Sequence, residues 1–361
     1  MTLCTGAAGR RTLRVAILCF GTTGHGGMET VIATTLRQFE LDGDVPRLFL
    51  LGGSADLSWI LGLPVTVLGS ASDAKFSRYS QYILRLPWML RSFAPDVVLC
   101  ADPRTVLVAS VIKKMLRLRT KVVSWLHFAL DRLSHTKFLR LADAHFAIST
   151  GVARDLHARG LDAVYVVYNP VVRPLRMHPR SEVAIFLHLG RITLGGQKRT
   201  DDFLRALAGL RGRYRAAVVG GGPDEGKLKD LAEELGLSDK IDWLGWQAHP
   251  WDVAPAASVL VMTSEYEGFA GALAEAITRA LPVISTDCHA GPADIVISSV
   301  NGGFVHVGGV AQLTELMQTI IEEPEILRPQ STLVSTATRF QPATVTSAMR
   351  MAITPSPQVD R

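Results

Sequence analysis

Short apolar, β-branched runs recur along the chain and are separated by stretches with the period of a helix. The first half carries LRVAILCF, RLFLLGG, PVTVLG, DVVLCA, KVVSWLHF, HFAIS and AVYVVYN, and a second series follows with AIFLHLG, RAAVVGG, KIDWLG, SVLVMTS, PVISTD and GGFVHV. Runs of strand length that alternate with helix-length segments predict βαβ units and an α/β fold with parallel sheets. Between the two series Pro170, Pro174 and Pro179 fall within ten residues, which predicts a break near residue 175. The pattern therefore reads as two Rossmann-like domains facing across a cleft, residues 1–172 and 183–331, with a linker at 173–182. Two such bodies place a ligand where their strand ends meet. Residues 332–361 are polar and weakly periodic and read as a partly ordered tail, with one helix around Ala343 to Ile353.

Composition adds limits rather than a new picture. At 361 residues, 48% apolar and 20% charged, the chain suits two globular domains, and no apolar run approaches the length of a membrane span. Arg10 and Arg11 before RVAILCF imitate the start of an export signal, but the apolar part breaks at Gly21, so a buried first strand is the expectation. Cys4, Cys19, Cys100 and Cys288 form no C-x-x-C pair and read as reduced thiols, with neither a disulfide framework nor a metal site.

Charge is unevenly spread. Residues 1–180 hold 23 Lys and Arg against 12 Asp and Glu, a net of +11, and the remainder holds 15 against 21, a net of −6. A basic front half implies phosphates, nucleic acid or an anionic membrane surface. Within it, Ser77 to Phe93 mixes Arg78, Arg85 and Arg91 with Tyr, Ile, Leu, Trp and Met, and Val106 to Lys121 holds Lys113, Lys114, Arg117, Arg119 and Lys121. These segments suit either a membrane-facing surface or ordinary solvated helix faces with their apolar sides in the core.

Several motifs fail, and each failure excludes a chemistry. Gly24-His25-Gly26-Gly27 follows the first strand, but Glu29 stands where a dinucleotide-binding turn needs its third glycine. Gly221 to Lys227 has the G-x-x-x-x-G-K spacing, yet Leu228 replaces the Mg²⁺-binding hydroxyl, and Asp224 and Glu225 would repel phosphate. Asp42-Gly43-Asp44 has a D-x-D form but sits where a turn is expected. No bound metal and no cofactor are expected.

Four features agree with one another. Gly26 and Gly27 let backbone approach a ligand, and Met28-Glu29 begin a helix whose positive end faces the cleft. Leu189-Gly190-Arg191, then Gly195-Gly196-Gln197-Lys198-Arg199, close a strand with a Gly-rich loop that lets Arg191 and Lys198 converge on one anion. Fixed cations of this kind lower the barrier to departure of a diphosphate. Third, Thr263 to Pro282 places Glu267 in a Gly-bearing loop and Glu275 eight residues on, along a helix entered from that loop. Glu275 is suited to ribose hydroxyls and Glu267 to a transferred sugar. Last, His127 ends the strand run KVVSWLHF, positioned for a sugar or acceptor across the cleft.

These residues carry a resemblance. GHGGMETV, LGRITLGGQKR, VVGGGPDEGKL, IDWLGW, SEYEGFAGALAEAITRALPVISTDC and AGPADI, in this order, resemble a GT-B glycosyltransferase of family 4. SWLHFALDRLSHTKFLRLADAHFAISTGV, GGQKR, LGWQAHPW and GPADIVISSVNG are similar to the lipopolysaccharide 1,6-galactosyltransferases of Gram-negative envelopes, over about residues 13 to 320. The resemblance implies retaining, metal-independent transfer of a hexose, galactose in that family, from a UDP-sugar to a glucosyl residue of the lipopolysaccharide core. It implies a peripheral, cytoplasmic protein at the anionic inner-membrane surface, with no nucleic acid as partner. Arg191, Lys198, Glu267 and His127 become the catalytic set. Gly26, Gly27, Gly190, Gly222, Gly245, Trp246, Gly268, Phe269, Leu273 and Glu275 become the nucleotide-sugar set. The alternatives are transfer from UDP-glucose or a UDP-N-acetylhexosamine, or a catalytically weak sugar-nucleotide-binding protein. Ala270 and Ala280 stand where the family has Pro and Gly, Gly308-Gly309 replaces Gly-Asp, and the tail lacks the family's aromatic helix. The expectation from Ala280 is a helix that ends without a left-handed glycine, with its C-terminus shifted and its ligand-facing start unchanged.

Overall fold

A computed structural model describes residues 10–354 except 25, 71, 72 and 74, and leaves the side chains of 75–79 aside. Cys4, His25 and the Arg78 side chain lie outside that description.

In the front domain the apolar runs become β1 (Arg14–Thr22), β2 (Val45–Ser54), β3 (Val65–Leu68), β4 (Val97–Cys100), β5 (Lys121–Leu126), β6 (Ala144–Ala147) and β7 (Val164–Val166). They form one parallel sheet in the order β3-β2-β1-β4-β5-β6-β7. The rear domain repeats the plan with β8 (Ala184–Leu189), β9 (Tyr214–Val219), β10 (Ile241–Gly245), β11 (Val259–Met262), β12 (Val283–Thr286) and β13 (Gly302–Val305), ordered β10-β9-β8-β11-β12-β13. Burial on both faces explains the composition, because β4, β6, β11 and β12 are buried at every position.

The helices are α1 (Gly27–Leu41), α2 (Lys75–Phe93), α3 (Pro103–Leu116), α4 (Thr150–Ala158), α5 (Thr200–Ala208), α6 (Glu225–Glu234), α7 (Pro250–Val253), α8 (Gly271–Thr278), α9 (Val310–Glu322), α10 (Gln330–Ser335) and α11 (Pro342–Ile353). Local chemistry sets several starts. Asp102 caps α3 in a reciprocal box with Thr105, with Pro103 at the first helical position, and Ser149 caps α4 through the Val152 N–H. The strand order reverses direction between β1 and β4 in front and between β8 and β11 behind. Ligands of doubly wound sheets bind at such switch points, and the loops after β1, β8 and β11 hold most of the candidate residues.

Three expectations are sharpened. The expected tail helix is α11, which crosses back and packs on α1 with Val345, Met349 and Ile353 buried, while α10 before it packs on α8 of the rear domain. Thr346 Oγ1 donates to Asp42 (2.7 Å), Lys121 Nζ donates to the Ile353 carbonyl (2.8 Å), and Arg350 pairs with Asp44. Second, Ala280 itself takes the left-handed conformation (φ +62°) after α8, and Ala270 does so before it (φ +65°), so both helix ends keep their turns without glycine. Third, two cations of the basic segments have partners: Lys121 as above, and Lys113 in a surface pair with Asp143 at 2.7 Å.

The Asp42-Gly43-Asp44 segment is a turn, and Asp44 accepts from the Leu13 N–H (2.9 Å). Cys19, Cys100 and Cys288 are free and buried, and burial pushes each thiol up, that of Cys288 to about 12.

Candidate active site in the interdomain cleft

The loop between β11 and α8 is bound to the Gly-rich loop after β8 along its length. Thr263 Oγ1 donates to the carbonyls of Lys198 and Arg199 (2.9 Å each), and the Glu265 N–H donates to the Gln197 carbonyl (2.8 Å). This pairing brings Lys198 to Glu267: Nζ lies 2.6 Å from Oε1, with 18% and 9% of the two side chains exposed. Ser264 Oγ donates to the same oxygen at 2.6 Å. Gly190 is required by its backbone (φ +139°), and a side-chain carbon there would be in ordinary contact with Lys198, 3.9 Å from Cε.

Arg191, seven residues earlier, is exposed and has no ion-pair partner among the described residues. Lys198 is held by Glu267, while the Arg191 side chain stands in solvent at the end of strand β8. The start of α8 sits beside this cluster. Its N-cap is Ala270, which has no side-chain oxygen to offer; the Leu273 N–H turns back to the Ala270 carbonyl (3.0 Å), and the N–H groups of Gly271 and Ala272 have no side-chain cap.

Glu267 and Glu275 do not converge. Glu275 Oε2 accepts from Trp251 Nε1 at 2.6 Å, and the Arg279 guanidinium lies 4.6 Å from the Trp251 ring centre. Burial raises the Glu275 pKa, while the indole bond and the Arg279 charge pull it back.

From the front domain, the His127 carbonyl faces Gly268. A side-chain carbon on Gly268 would lie 3.1 Å from Ile148 Cδ1, 3.3 Å from the His127 oxygen and 3.4 Å from Phe128 Cα, so glycine lets the two domains touch here. Both ring nitrogens of His127 are buried without a partner, the ring is edge-on to Trp125 at 4.4 Å, and burial lowers its pKa to about 3. His127 is therefore a neutral imidazole with unspent hydrogen-bonding capacity at the cleft.

Among the other candidates, Gly26 is the N-cap of α1, and a side chain there would meet Glu29 Oε2 at 2.6 Å. Glu29 is itself buried and accepts from the Gly24 N–H (3.0 Å), so it shapes the turn. Gly27 has open space around it. Gly222 is required by packing, since a side-chain carbon would lie 1.9 Å from the Ile192 carbonyl oxygen. Gly245 (φ +65°) turns the chain into Trp246, which is 52% exposed. Phe269 and Leu273 are buried, and Phe269 packs against Tyr168 and Phe340 at 6.2 and 5.4 Å between ring centres. Their side chains serve the core, so only their backbone is offered to a ligand.

Trp251, Ser264, Tyr168 and Phe340 were not singled out in the sequence. Trp251 lies in LGWQAHPW, and a tryptophan one helix away from a buried glutamate was the available signal. Among the described residues no group of His, Cys, Asp and Glu has the arrangement of a metal site.

Residues 25–172 match the model of Glycosyltransferase Family 4, and residues 178–332 match that of Glycosyl transferases group 1. The lipopolysaccharide 1,6-galactosyltransferase of Escherichia coli K12 is 34% identical over 321 residues, 86% of this chain and 89% of that protein. The chain belongs to the family 4 glycosyltransferases. The protein of the same description from Salmonella typhimurium LT2 is 31% identical over 86% of this chain and 90% of its own length. The apo form of the lipopolysaccharide outer core galactosyltransferase WaaB superposes with a TM-score of 0.82 at 30% identity, covering 94% of this chain and 98% of that one. The two parallel-sheet halves of this glycosyltransferase are thus the GT-B architecture.

The two domains of the glycosyltransferase are also tied beside the cleft. Asp294 accepts from the Thr150 N–H (2.7 Å) and hydroxyl (2.8 Å), and His289 Nε2 lies 2.9 Å from Asp155. Gly151 permits that approach, because a side-chain carbon on it would lie 2.4 Å from Ala290 Cα.

Proposed function

We propose that this glycosyltransferase moves galactose from UDP-galactose to a glucosyl residue of a lipopolysaccharide core, with retention of anomeric configuration and without a metal. The observation that carries the reading is the Lys198–Glu267–Ser264 cluster at the open start of α8. A sugar diphosphate satisfies each of its parts. The diphosphate takes the helix N–H groups, Lys198 and the unpaired Arg191, and sugar hydroxyls take Glu267. Glu275, held by Trp251, accepts from ribose hydroxyls, and Trp246 offers the base an exposed ring.

In the reaction the bond from the anomeric carbon to the phosphate oxygen breaks and a bond to the acceptor oxygen forms. The acceptor proton passes to the departing diphosphate, whose new charge is met by Lys198 and Arg191. His127 is neutral at working pH and serves as a hydrogen-bond partner to sugar or acceptor, not as a cation.

The acceptor sits at a membrane, and the front domain supports docking there on the cytoplasmic face of the inner membrane. On α2, Ile83, Leu84 and Trp88 are exposed beside Arg85 and Arg91, and the neighbouring α3 exposes Val111 and Met115 beside Lys114. Apolar side chains ringed by cations are the requirement for an anionic interface. No helix among the described residues is long and apolar enough to cross a membrane.

The test offers the purified chain a mixed pool of UDP-sugars with a glucosylated core acceptor and identifies the product by mass spectrometry. Addition of one hexose from UDP-galactose is expected. A different sugar in the product removes galactose, and no product removes the transferase.

A further inference from the structure

Trp251 stands in α7, five residues after Trp246, and its indole N–H donates to Glu275 Oε2 on α8 at 2.6 Å. The other carboxylate oxygen, Oε1, has no hydrogen-bond partner among the described residues. The last torsion of a glutamate is soft, so a donor fixed on one oxygen decides where the second one points.

Trp251 is itself held from two sides. The His178 ring, from the crossing at 173–182, meets the indole edge-on with 5.6 Å between centres, and the Arg279 guanidinium lies 4.6 Å from the Trp251 ring centre. His178 is pinned in turn: its N–H donates to the Arg279 carbonyl (2.7 Å), its Nε2 lies 2.8 Å from the Pro255 carbonyl oxygen, and its carbonyl accepts from Gln330 Nε2 (3.0 Å). Arg279 completes the circle by donating to the Glu275 carbonyl (3.2 Å). The indole is thus fixed by groups from the linker and from α8, and its one polar atom is spent on Glu275.

We infer that Trp251 is a positioning residue that makes the nucleotide site selective for the ribose hydroxyls, by tying down Oε2 of Glu275 and leaving Oε1 to accept from them. The inference rests on the transferase reading, in which Glu275 faces the ribose, and adds the group that gives this contact its selectivity. A carboxylate ordered in advance has less freedom to lose when the ribose arrives. A nucleotide without those hydroxyls leaves an ionised oxygen unpaired in a half-buried site, and that penalty is what discriminates. The indole bond also opposes the effect of burial on Glu275 and so favours the ionised form, which only accepts.

The experiment uses the full chain, its Trp251→Phe and Glu275→Gln variants and the double variant, with Kd for UDP and for 2′,3′-dideoxy-UDP measured by calorimetry. The wild type is expected to prefer UDP by about tenfold or more, the size of a hydrogen bond to a charged group. Trp251→Phe, which keeps a ring and loses the N–H, is expected to bring that preference below about threefold and to raise KM for UDP-galactose with little change in kcat, as for lost ground-state binding. The double variant is expected to match Glu275→Gln. A ring that only fills space would weaken both nucleotides alike, so an unmoved preference in Trp251→Phe overturns the inference. A second reading needs no variant: with nitrogen-15-labelled tryptophan in the wild type, the most downfield indole N–H signal is expected to move further with saturating UDP than with the dideoxy nucleotide, and equal movement overturns the inference. Wild-type chain that binds both nucleotides equally overturns it while the transferase reading stands, and chain that binds no UDP overturns that reading itself.

Discussion

Lys198 is the residue on which the proposed chemistry leans most. Its ammonium is mostly buried and held by Glu267, so it is pre-positioned for the charge that develops on a leaving diphosphate. Lys198→Ala is expected to lower kcat with UDP-galactose by about 2–4 kcal/mol of transition-state stabilisation, the loss seen when one fixed oxyanion donor is removed. Steady-state kinetics with turnover unchanged would end the diphosphate assignment.

The histidines give a second prediction at this scale. Burial holds His127 at about 3 and His145 and His188 at about 4, all below the ordinary 6.5. The folded chain then binds fewer protons than the unfolded one between those values. Stability is complete above about pH 6.5 and declines as pH falls toward 4. The urea midpoint at pH 5 is expected below that at pH 7, with the gap narrowed by His127→Gln; equal midpoints would refute it. Sequence spacing made Lys198, Glu267 and His127 legible because each ends a strand or sits in a glycine loop. It left the Lys198–Glu267 contact out of sight, since that bond joins residues 69 apart through the pairing of two loops.

Between elements, α4 comes close to the loop after β12 from across the domain boundary. Gly151→Ala places a carbon against the Ala290 backbone, which is already strained at a positive φ (φ +70°, ψ −140°). It cannot be relieved by a side-chain rotation. Destabilisation of about 1–3 kcal/mol is expected, as for overpacked cores, together with loss of the Thr150–Asp294 bonds. Denaturant unfolding that matches wild type would show the approach to be looser than described. The strands were legible from pattern alone, because burial on both faces leaves continuous apolar runs. Helix α11 was half legible. Val345, Met349 and Ile353 repeat at four-residue spacing, but Thr, Ser and Ala between them weaken the period, and their partner α1 lies about 300 residues away.

Taken as one molecule, the chain passes between its domains twice, at 173–182 and again ahead of α11. Motion of the cleft is thereby limited to bending about two strands, and the membrane-facing helices stay fixed relative to the front half of the cleft. If α2 docks the bilayer, replacing both Ile83 and Trp88 with Ser should cut cosedimentation with anionic vesicles several-fold while leaving UDP affinity alone, and raised salt should weaken binding of the wild type. Binding that resists both changes would point to another face.

The return of α11 bears on how the protein is made. Asp44 waits for Arg350, 306 residues later, and at about 5–20 residues per second the ribosome needs about 15–60 s to supply it. During that interval the surface of α1 that receives Val345, Met349 and Ile353 is bare, and the front half is a nascent chain without its final helix. Residues 1–172 expressed alone should therefore be poorly soluble, and co-expression with a peptide of residues 338–354 should recover them. Equal solubility of the fragment with and without the peptide would mean that the front half completes its folding on its own.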